Sequence, residues 1–388
     1  EAIKSHLSRA FILFVGPHVT ALPEETMAQE PALDAVARGE YDYTVRVLAR
    51  ALSAGDDLEN VEGISYRGSD GTIVHNPDRE LIQDLDALPF VSEVYKRHLR
   101  VEDYSYSIAL HPQVTIVSGR GCPYKCTFCL WPQTITGPRY RLRSVANFAD
   151  EFDYIAHELP QVRDIFIEDD TFTIDQERCI SLAKVLIQRG SQQQLTANAR
   201  ANVPFATLQW LKMAGLRRLC VGFESGDQGV LNGMKKGMRV DQYYRFREAA
   251  KHAGVLVHGC FMAGNPGETH ETLGKTLQLA KRLNPDTAQF YPLMVYPGTE
   301  AYDLAKSNGS LGAVDFQDWL TPEGFHNTVI NQPGLPASDL VAWCDQARRS
   351  FYLRPGYLLS KAWQMLTHPG EAGRIFRSAR TFSKHLLP

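Results

Sequence analysis

The sequence predicts an α/β protein whose main domain is a parallel sheet curved into a partial barrel. Short apolar runs alternate six times with longer amphipathic stretches from residue 113 onward, which is typical of strand–helix units. Each apolar run ends in polar or glycine-rich residues, as expected for a site at the carboxyl ends of parallel strands. Because six units are fewer than the eight of a closed barrel, we expect an open or partial (β/α)6 barrel.

The apolar runs and the stretches between them define the elements of this domain. We predict its strands at Val114–Ser118, Asp164–Ile167, Gln194–Ala197, Arg218–Phe223, Leu256–Met262 and Thr287–Leu293. We predict its helices near 145–158, 176–189, 206–214, 241–253 and 271–282. The domain should therefore occupy residues 113–300, with a polar connector at 91–112 before it and a mainly helical extension at 301–388 after it.

Residues 1–90 predict a smaller α/β domain that resembles an incomplete doubly wound unit. Its predicted elements are a strand at 10–15, a helix beginning at Pro23, a short strand at 33–39, a helix over 43–54 and a β-ribbon over 61–76 that turns at Ser69-Asp-Gly71. About two parallel strands are fewer than such a domain needs. Since the chain also begins with Glu1, we expect a degenerate domain or one whose first half precedes this sequence.

Composition and charge exclude several classes of protein. The chain has 388 residues, of which 44% are hydrophobic and 22% charged, so it is neither disordered nor fibrous. The net charge of −3 gives no reason to expect nucleic acid as a partner. No apolar run approaches the length of a membrane-spanning helix, and no signal peptide is recognisable, so we expect a cytoplasmic protein.

The cysteines carry the strongest chemical signal. Three of the seven form the cluster Cys122-Pro-Tyr-Lys-Cys126-Thr-Phe-Cys129, directly after the first predicted barrel strand. Thiolates bind iron–sulfur clusters and zinc, and three on one loop can hold three irons of a [4Fe–4S] cluster while the fourth iron stays open. Structural zinc normally takes four ligands in two pairs, and no second pair follows here. Ordinary buried cysteines are the remaining alternative.

This cysteine motif resembles the signature of radical S-adenosylmethionine (AdoMet, or SAM) enzymes, whose fold is a partial (β/α)6 barrel. The resemblance implies that Cys122, Cys126 and Cys129 are catalytic cluster ligands and that AdoMet chelates the open iron. It also implies an electron donor such as flavodoxin or ferredoxin, because one electron must cleave AdoMet to give a 5′-deoxyadenosyl radical.

The resemblance implies AdoMet-binding roles for residues at the other strand ends. Glu168, Asp169 and Asp170 would accept hydrogen bonds from the AdoMet ammonium or ribose, the alternative being a solvent-facing acidic turn. Arg200 would pair with the methionine carboxylate, unless it is a surface arginine. Glu224 matches the acidic fourth-strand motif of the family, unless it caps a helix.

Two further residues match the family near the adenine of AdoMet. Gly264, in Gly264-Asn-Pro-Gly-Glu268, would let the backbone approach the adenine, although a tight turn before a helix explains the glycine equally well. Phe128 precedes the last cluster cysteine and would flank the adenine or merely pack.

The first domain resembles the later half of a cobalamin-binding domain, which precedes the barrel in one large branch of radical SAM enzymes. The stretch from Val15 through Glu25 and the stretch from Asp34 to Glu40 carry this resemblance. Cobalamin is therefore an implied cofactor. The Asp-x-His-x-x-Gly element that supplies a cobalt ligand in some cobalamin proteins is not present, and His18 is better explained as a loop histidine than as a metal ligand.

Several stretches resemble one subgroup of that branch, the hopanoid-biosynthesis radical SAM proteins of the bacteriohopanetetrol cyclitol ether synthase type. They are Cys129–Thr134, Arg139–Ser144, Asp169–Thr173, Asn198–Val203, Lys235–Arg239, Phe351–Pro355 and Ser378–Phe382. The resemblance implies a hopanoid lipid substrate whose aminosugar headgroup undergoes ring contraction. A cobalamin-dependent radical SAM C-methyltransferase is the alternative within the same class, and a non-catalytic zinc-binding module is the alternative outside it.

The C-terminal segment from Arg348 to Pro388 is basic and rich in aromatic residues. It contains eight lysines and arginines against one acid, Glu371. Such helices can lie on anionic membrane surfaces, so residues 348–388 predict peripheral contact with the inner face of a membrane. A helical tail packed on the barrel, and a membrane-surface scaffold that uses the tail alone, are the alternatives.

Overall fold

A computed structural model describes residues 2–312, 315–320 and 328–367, together with residues 373, 375 and 376. The chain forms two compact units. The first unit comprises Glu1–Asp84, Arg120–Arg141 and Val295–Gly309, and the second comprises Leu85–Gly119, Leu142–Met294 and Ser310–Pro388. The units are discontinuous in sequence, whereas the predicted domain boundaries are continuous; those boundaries remain predictions.

The strands and helices of the described residues follow in chain order. The strands are β1 (Leu13–Val15), β2 (Ala35–Ala37), β3 (Ile64–Arg67), β4 (Ile73–His75), β5 (Gln113–Ile116), β6 (Gly119–Arg120), β7 (Arg141–Leu142), β8 (Asp164–Ile167), β9 (Gln194–Ala199), β10 (Leu216–Glu224), β11 (Leu256–Ala263) and β12 (Thr287–Pro292). The first eight α-helices are α1 (Ala2–His6), α2 (Pro17–Ala21), α3 (Pro23–Gln29), α4 (Asp42–Ala54), α5 (Val91–His98), α6 (Leu130–Thr134), α7 (Val145–Glu158) and α8 (Gln176–Gln188). The others are α9 (Phe205–Met213), α10 (Gln228–Gly233), α11 (Val240–His252), α12 (His270–Leu283), α13 (Glu300–Ser307), α14 (Ala337–Tyr352) and α15 (Pro355–Thr367).

The second unit contains the predicted sheet. Its strands lie in the order β5-β8-β9-β10-β11-β12, and every neighbouring pair is parallel. Spatial order therefore equals sequence order, as repeated strand–helix–strand connections dictate. The prediction of an α/β fold with six parallel strands is confirmed, and the observed strands match the predicted ones closely.

Phenylalanines on one face of this sheet form its core. The rings of Phe223, Phe261 and Phe290 stack across β10, β11 and β12, with successive centroids 5.6 and 5.3 Å apart. Tyr243 of α11 meets Phe223 edge to face, and Phe351 of α14 meets Phe290. Because side chains alternate along a strand, this packing turns their sequence neighbours to the opposite face of the sheet.

The first unit contains a four-stranded sheet in the order β1-β2-β3-β4. The β1–β2 pair is parallel, whereas β2–β3 and β3–β4 are antiparallel. The predicted ribbon is confirmed: the Asp70 carboxylate accepts hydrogen bonds from the backbone and hydroxyl of Thr72 and closes its turn.

The first part of the predicted polar connector over 91–112 forms helix α5. The residues of α5 are mostly polar, and two of its apolar residues, Val91 and Val94, are exposed, so few apolar residues mark it as a packed helix in the sequence. The buried Glu151 carboxylate of α7 accepts hydrogen bonds from the backbone nitrogen and hydroxyl of Ser92 at 3.0 and 2.9 Å. A tertiary contact, rather than local patterning, therefore stabilises the start of this helix.

The extension after the barrel is helical in α14 and α15, as expected. Among the described residues, no helix combines the length and apolar character needed to cross a membrane. The tail residues Glu371, Arg374, Arg377, Arg380 and Lys384 and the motif Ser378–Phe382 lie outside the described residues.

Candidate functional site

The three predicted cluster cysteines lie on a loop of the first unit, residues 121–129, which we name the cysteine loop. Cys122 and Cys126 are buried, and Cys129 is half-buried at the start of α6. Gly121 has a φ of +93°, and a Cβ at this position would lie 2.1 Å from the carbonyl oxygen of Arg139. Only glycine fits here, because both the backbone conformation and the close approach exclude a side chain.

Side-chain hydrogen bonds fix the backbone of the cysteine loop. The Gln133 Nε2 atom lies 3.3, 3.2 and 2.7 Å from the carbonyl oxygens of Cys126, Thr127 and Cys129. The Gln133 Oε1 atom in turn accepts a hydrogen bond from the backbone nitrogen of Glu300, which begins α13. The carbonyl of Thr127 also accepts one from the backbone nitrogen of Ala301. One glutamine therefore connects two of the three cysteines to a helix that is distant in sequence.

A buried ion-pair network, centred on Glu40, holds both ends of the cysteine loop. Arg141 binds the Glu40 carboxylate through two hydrogen bonds of 2.8 and 2.9 Å. Arg120 pairs with Asp42 at 2.8 Å and approaches Glu40 at 3.4 Å. Although burial opposes the effect, Arg120 lowers the pKa of Asp42 below its usual value. Residues before and after the loop are thus anchored to the same short segment following β2, which sequence reasoning missed.

The composition of the loop suits an iron–sulfur cluster. Its donor set consists of three thiols, which are soft ligands, and hydrogen bonds from Gln133 hold its backbone. Phe128 is half-buried beside Cys129.

The carboxylates that follow β8 in the second unit differ in their surroundings. Asp169 is buried, and its two oxygens accept hydrogen bonds from the backbone nitrogens of Ser118 and Gly119 and from the Ser118 hydroxyl, at 2.6 to 3.1 Å. Glu168 is exposed, yet desolvation by the surrounding protein raises its pKa, and the carboxylates of Asp169 and Asp170 add to the shift. The contacts favour a positioning role for Asp169 and leave Glu168 more accessible to a ligand.

Arg200 is buried, so the interpretation as a surface arginine is wrong. It follows β9, and its guanidinium donates a hydrogen bond to the backbone carbonyl of Lys236. Asn198, two residues earlier, donates from its side-chain amide to the Asp169 carbonyl at 3.2 Å. The third strand end is therefore joined to the second strand end and to Lys236, the residue that pairs with Glu224.

Glu224 lies at the end of β10 in a left-handed backbone conformation, with φ of 62°. A non-glycine residue in this region costs free energy and is frequent at functional sites. Its buried carboxylate binds the Lys236 Nζ atom at 2.8 Å and the Tyr291 hydroxyl at 3.1 Å. The helix-cap interpretation is wrong, since the side chain of Asp227 caps α10.

Gly222 makes room for the Glu224–Lys236 pair. A Cβ on Gly222 would lie 2.1 Å from the Glu224 Oε1 atom and 2.9 Å from the Lys236 Nζ atom. Lys236 and Tyr291 were given no role from the sequence. Lys236 reaches Glu224 from the segment between α10 and α11, and Tyr291 reaches it from β12, so only the folded chain reveals the partnership.

Gly264 occupies the turn after β11 with φ of +99°, and a Cβ there would lie 2.8 Å from the Leu340 side chain. The buried carboxylate of Glu268 closes this turn by accepting hydrogen bonds from the backbone nitrogens of Gly264 and Asn265. Burial raises the pKa of Glu268 to about 7. The positive φ of this tight turn favours glycine here independently of any role toward AdoMet.

The sequence of this chain resembles those of known proteins. The sequence model of the radical SAM superfamily matches residues 116–280. The chain is 31% identical over 355 residues to an uncharacterized methyltransferase of Pyrococcus horikoshii, covering 91% of this chain and 75% of that protein. It is 24% identical over 413 residues to the hopanoid C-3 methylase of Methylococcus capsulatus, covering 100% of this chain and 74% of that protein.

Among solved structures, the chain resembles the radical S-adenosylmethionine methyltransferase TsrM of Kitasatospora setae with cobalamin and a [4Fe–4S] cluster bound. The TM-score is 0.69 at 19% identity, covering 88% of this chain and 74% of that chain, which shows the shared fold.

The chain belongs to the radical SAM superfamily. It is an enzyme whose cofactors are a [4Fe–4S] cluster and AdoMet, as the cysteine motif predicted.

Proposed function

We propose that this protein is a cobalamin-dependent radical SAM methyltransferase that acts on an unactivated carbon. The observation that carries the proposal is the likeness to a methyltransferase over 91% of the chain. The cysteine loop supports it, because its three thiols would hold the cluster to which AdoMet binds. The alternative of a non-catalytic zinc module does not account for this likeness.

In this proposal Cys122, Cys126 and Cys129 hold the cluster. When bound, the cluster and AdoMet together would supply the radical chemistry needed to take hydrogen from an unactivated carbon. The protein's part is to hold the loop rigid through Gln133 and through the Glu40 network described above. A fixed loop places the three thiolates before assembly, so less ordering entropy is lost when the cluster forms.

We assign AdoMet recognition to the strand ends of the second unit. Glu168 and Asp170 would accept hydrogen bonds from the ammonium or the ribose, and Arg200 would pair with the carboxylate. Glu224, held by Lys236 and Tyr291, would offer a fixed acceptor. Asp169 supports the site indirectly, because its oxygens bind the backbone of Ser118 and Gly119. Gly264 and Phe128 would border the adenine.

Cobalamin would bind the first unit, where it supplies the carrier for the transferred methyl group. Strand β1 is at the edge of its sheet, and the side chains of Phe14 and Val15 there are exposed. An edge strand with exposed apolar residues can accept a further strand or an apolar ligand face. His18 is exposed at the start of α2, and desolvation lowers its pKa, so it is neutral near pH 7.

A hopanoid lipid is the proposed substrate class. The likeness to a hopanoid methylase along the whole chain favours it, as do the subgroup motifs from Cys129–Thr134 to Lys235–Arg239. The same motifs favour a second candidate reaction, in which the radical rearranges the aminosugar headgroup by ring contraction and no methyl group is transferred.

One labelling experiment separates the two reactions. The cluster-reconstituted protein, with cobalamin, reduced flavodoxin or ferredoxin and AdoMet labelled in its methyl group, is given aminosugar-bearing hopanoid. Methyl transfer predicts a product larger by one CH₂ that carries the label. Ring contraction predicts an unlabelled product without added carbon. Production of 5′-deoxyadenosine with neither product would reject hopanoids as the substrate.

We also propose that α15 contacts an anionic membrane surface. Leu359, Trp363 and Leu366 are exposed by 71, 68 and 76% and lie on one face, since they are spaced by four and three residues. The helix contains no acid. Such a face matches an interfacial helix, and membrane contact would bring the enzyme to a lipid substrate.

Sedimentation with vesicles tests this contact. We expect the protein to bind vesicles that contain anionic lipid, and the double variant Leu359→Ser/Trp363→Ser to lose most of that binding. Leu320→Ser, which removes an exposed leucine outside α15, is the matched control. Equal binding by the double variant would contradict the proposal.

A further inference from the structure

The barrel sheet brings together a second set of metal-ligating side chains, far from the cysteine loop in sequence. Cys220 lies on β10, and His258 and Cys260 lie on β11. Their ligand atoms all lie within 4.8 Å of one another. We name these three residues the strand trio. The two cysteines are half-buried and His258 is buried, so the group is enclosed but reachable.

Sheet register explains how the trio assembles. Cys220 pairs with His258 across the two strands, and Cys260 pairs with Gly222. Since alternate residues share a face, both cysteines project to the side opposite Phe223 and Phe261.

The distance between the two sulfur atoms suits one metal ion. The Sγ atoms of Cys220 and Cys260 are 3.7 Å apart. Two thiolates at about 2.3 Å from a tetrahedral zinc ion lie about 3.8 Å apart. A disulfide needs a separation of about 2.05 Å. The observed spacing therefore matches a pair of ligands on zinc, and as free thiols the two groups share a hydrogen bond.

The third ligand is already oriented by a neighbouring side chain. The Nδ1 atom of His258 lies 2.8 Å from the Thr287 hydroxyl, which also accepts a hydrogen bond of 2.9 Å from Arg218. The hydroxyl oxygen has two lone pairs, so it can accept one hydrogen bond from Arg218 and a second from the Nδ1–H of His258. Histidine ligands normally donate from one ring nitrogen in this way, which leaves the lone pair of the other for the metal.

We propose that Cys220, His258 and Cys260 bind a zinc ion whose fourth position is open. Two cysteines and one histidine form a donor set that catalytic zinc uses, with water or substrate as the remaining ligand. Binding replaces the two thiol protons by one divalent cation, and the protons pass to solvent. The Glu224–Lys236 pair lies over Gly222, the strand partner of Cys260, so the zinc would adjoin the group assigned to AdoMet.

The open position indicates the ligand class. Zinc polarises hydroxyl and carbonyl oxygens, so the trio would hold an oxygen atom of the substrate. This role rests on the proposed function, because it places a hydroxyl- or carbonyl-bearing substrate at this sheet. The binding of zinc itself does not depend on the reaction.

Metal titration of the full chain tests the site. The variant Cys122→Ala/Cys126→Ala/Cys129→Ala removes competing thiols, and Co²⁺ serves as a coloured probe for zinc. We expect one Co²⁺ per chain, with thiolate charge-transfer absorption and the visible bands of tetrahedral cobalt, and we expect Zn²⁺ to displace it. In this background, Cys220→Ser or Cys260→Ser should weaken binding by more than about 100-fold, because each removes a ligand.

Thr287→Val keeps all three ligands and should weaken binding by about 10- to 100-fold. Cys344→Ser, a buried cysteine of α14, is the matched control and should bind as before. The proposal is overturned if tetrahedral cobalt does not form, if its spectrum is unchanged by Cys220→Ser and Cys260→Ser, or if the anaerobically purified protein holds a Cys220–Cys260 disulfide.

The cluster-reconstituted enzyme separates this proposal from the methyltransferase assignment. If zinc binds as expected and the trio variants weaken its binding, but no methylated product forms, only the methyltransferase assignment is rejected. Methylated product at full rate from protein without zinc would reject only the substrate-holding role.

Discussion

The cysteine loop and the strand trio are both sets of sulfur ligands, but they form in opposite ways. The loop takes all three cysteines from eight consecutive residues, and its nearest hydrogen bonds come from Gln133, four residues after the last cysteine. The trio takes its ligands from strands separated by more than thirty residues, and sheet register assembles it. The comparison teaches that a short motif can reveal a site in the sequence, whereas a site built by register stays hidden until the strands are paired.

The largest effect is expected from a substitution that removes one cysteine ligand from the loop. Cys126→Ala should abolish reductive cleavage of AdoMet, because the cluster loses one of its three protein ligands. The measurement is 5′-deoxyadenosine formed per hour under anaerobic conditions, with iron content determined in parallel. Cys344→Ala is the control and should retain cleavage. Normal cleavage of AdoMet by Cys126→Ala would disprove the assignment of the cluster to the cysteine loop. The loop could then no longer be compared with the strand trio as a metal site.

The next prediction tests how far the loop depends on residues outside its motif. Arg141→Ala leaves the buried Glu40 carboxylate with the more distant Arg120 as its cationic partner and with the Ile82 backbone nitrogen as a neutral donor, so we expect a loss of about 3 kcal/mol in the free energy of unfolding. Denaturant unfolding and iron content measure it. Arg141→Lys keeps the charge but not the two-point contact, and should fall between the variant and the wild type. An unchanged unfolding midpoint for Arg141→Ala would show that the loop is self-sufficient.

A third prediction concerns Glu268, which closes the turn after β11. Burial raises the pKa of Glu268 from 4.5 to about 7, so its protonated form is favoured in the folded state. Its contribution to stability is fully present below about pH 4.5 and is lost as the pH rises through about 7. Glu268→Gln should therefore be more stable than the wild type at pH 8, by up to about 3 kcal/mol, and nearly equal at pH 4.5.

Thermal unfolding at several pH values measures this difference. Glu271→Gln, an exposed neighbour on α12, should show no such pH dependence. Parallel pH profiles for the wild type and Glu268→Gln would contradict a protonated Glu268.

The smallest effect is expected from removing the Gln133 hydrogen bonds to the cysteine loop. Gln133→Ala removes the amide that bridges three loop carbonyls, and we expect a loss of about 1–2 kcal/mol and faster release of iron to a chelator. Gln161→Ala, at an exposed position, is the control. If Gln133→Ala releases iron at the wild-type rate, the rigidity of the loop comes from the Glu40 network alone.

Much of the fold was predictable because apolar periodicity is a local property. The run from Asp164 to Ile167 is buried along its whole length, and the sequence predicted this strand with its observed bounds. Helix α5 was missed because it is short and mostly polar and because Glu151 supplies the stabilising contact from another helix. The sequence could not exclude a capping role for Glu224, because its bonds to Lys236 and Tyr291 and the cap provided by Asp227 depend on the folded chain.

The sequence by itself determined the six parallel strands, the three cysteines of the loop and hence the superfamily. These features depend on spacing within short windows, where side-chain periodicity and ligand reach act directly. Only the tertiary structure decided which residues support them. The Glu40 network, the Glu224–Lys236 pair and the strand trio join side chains distant in sequence, and their energies depend on burial and register, which exist only in the folded chain.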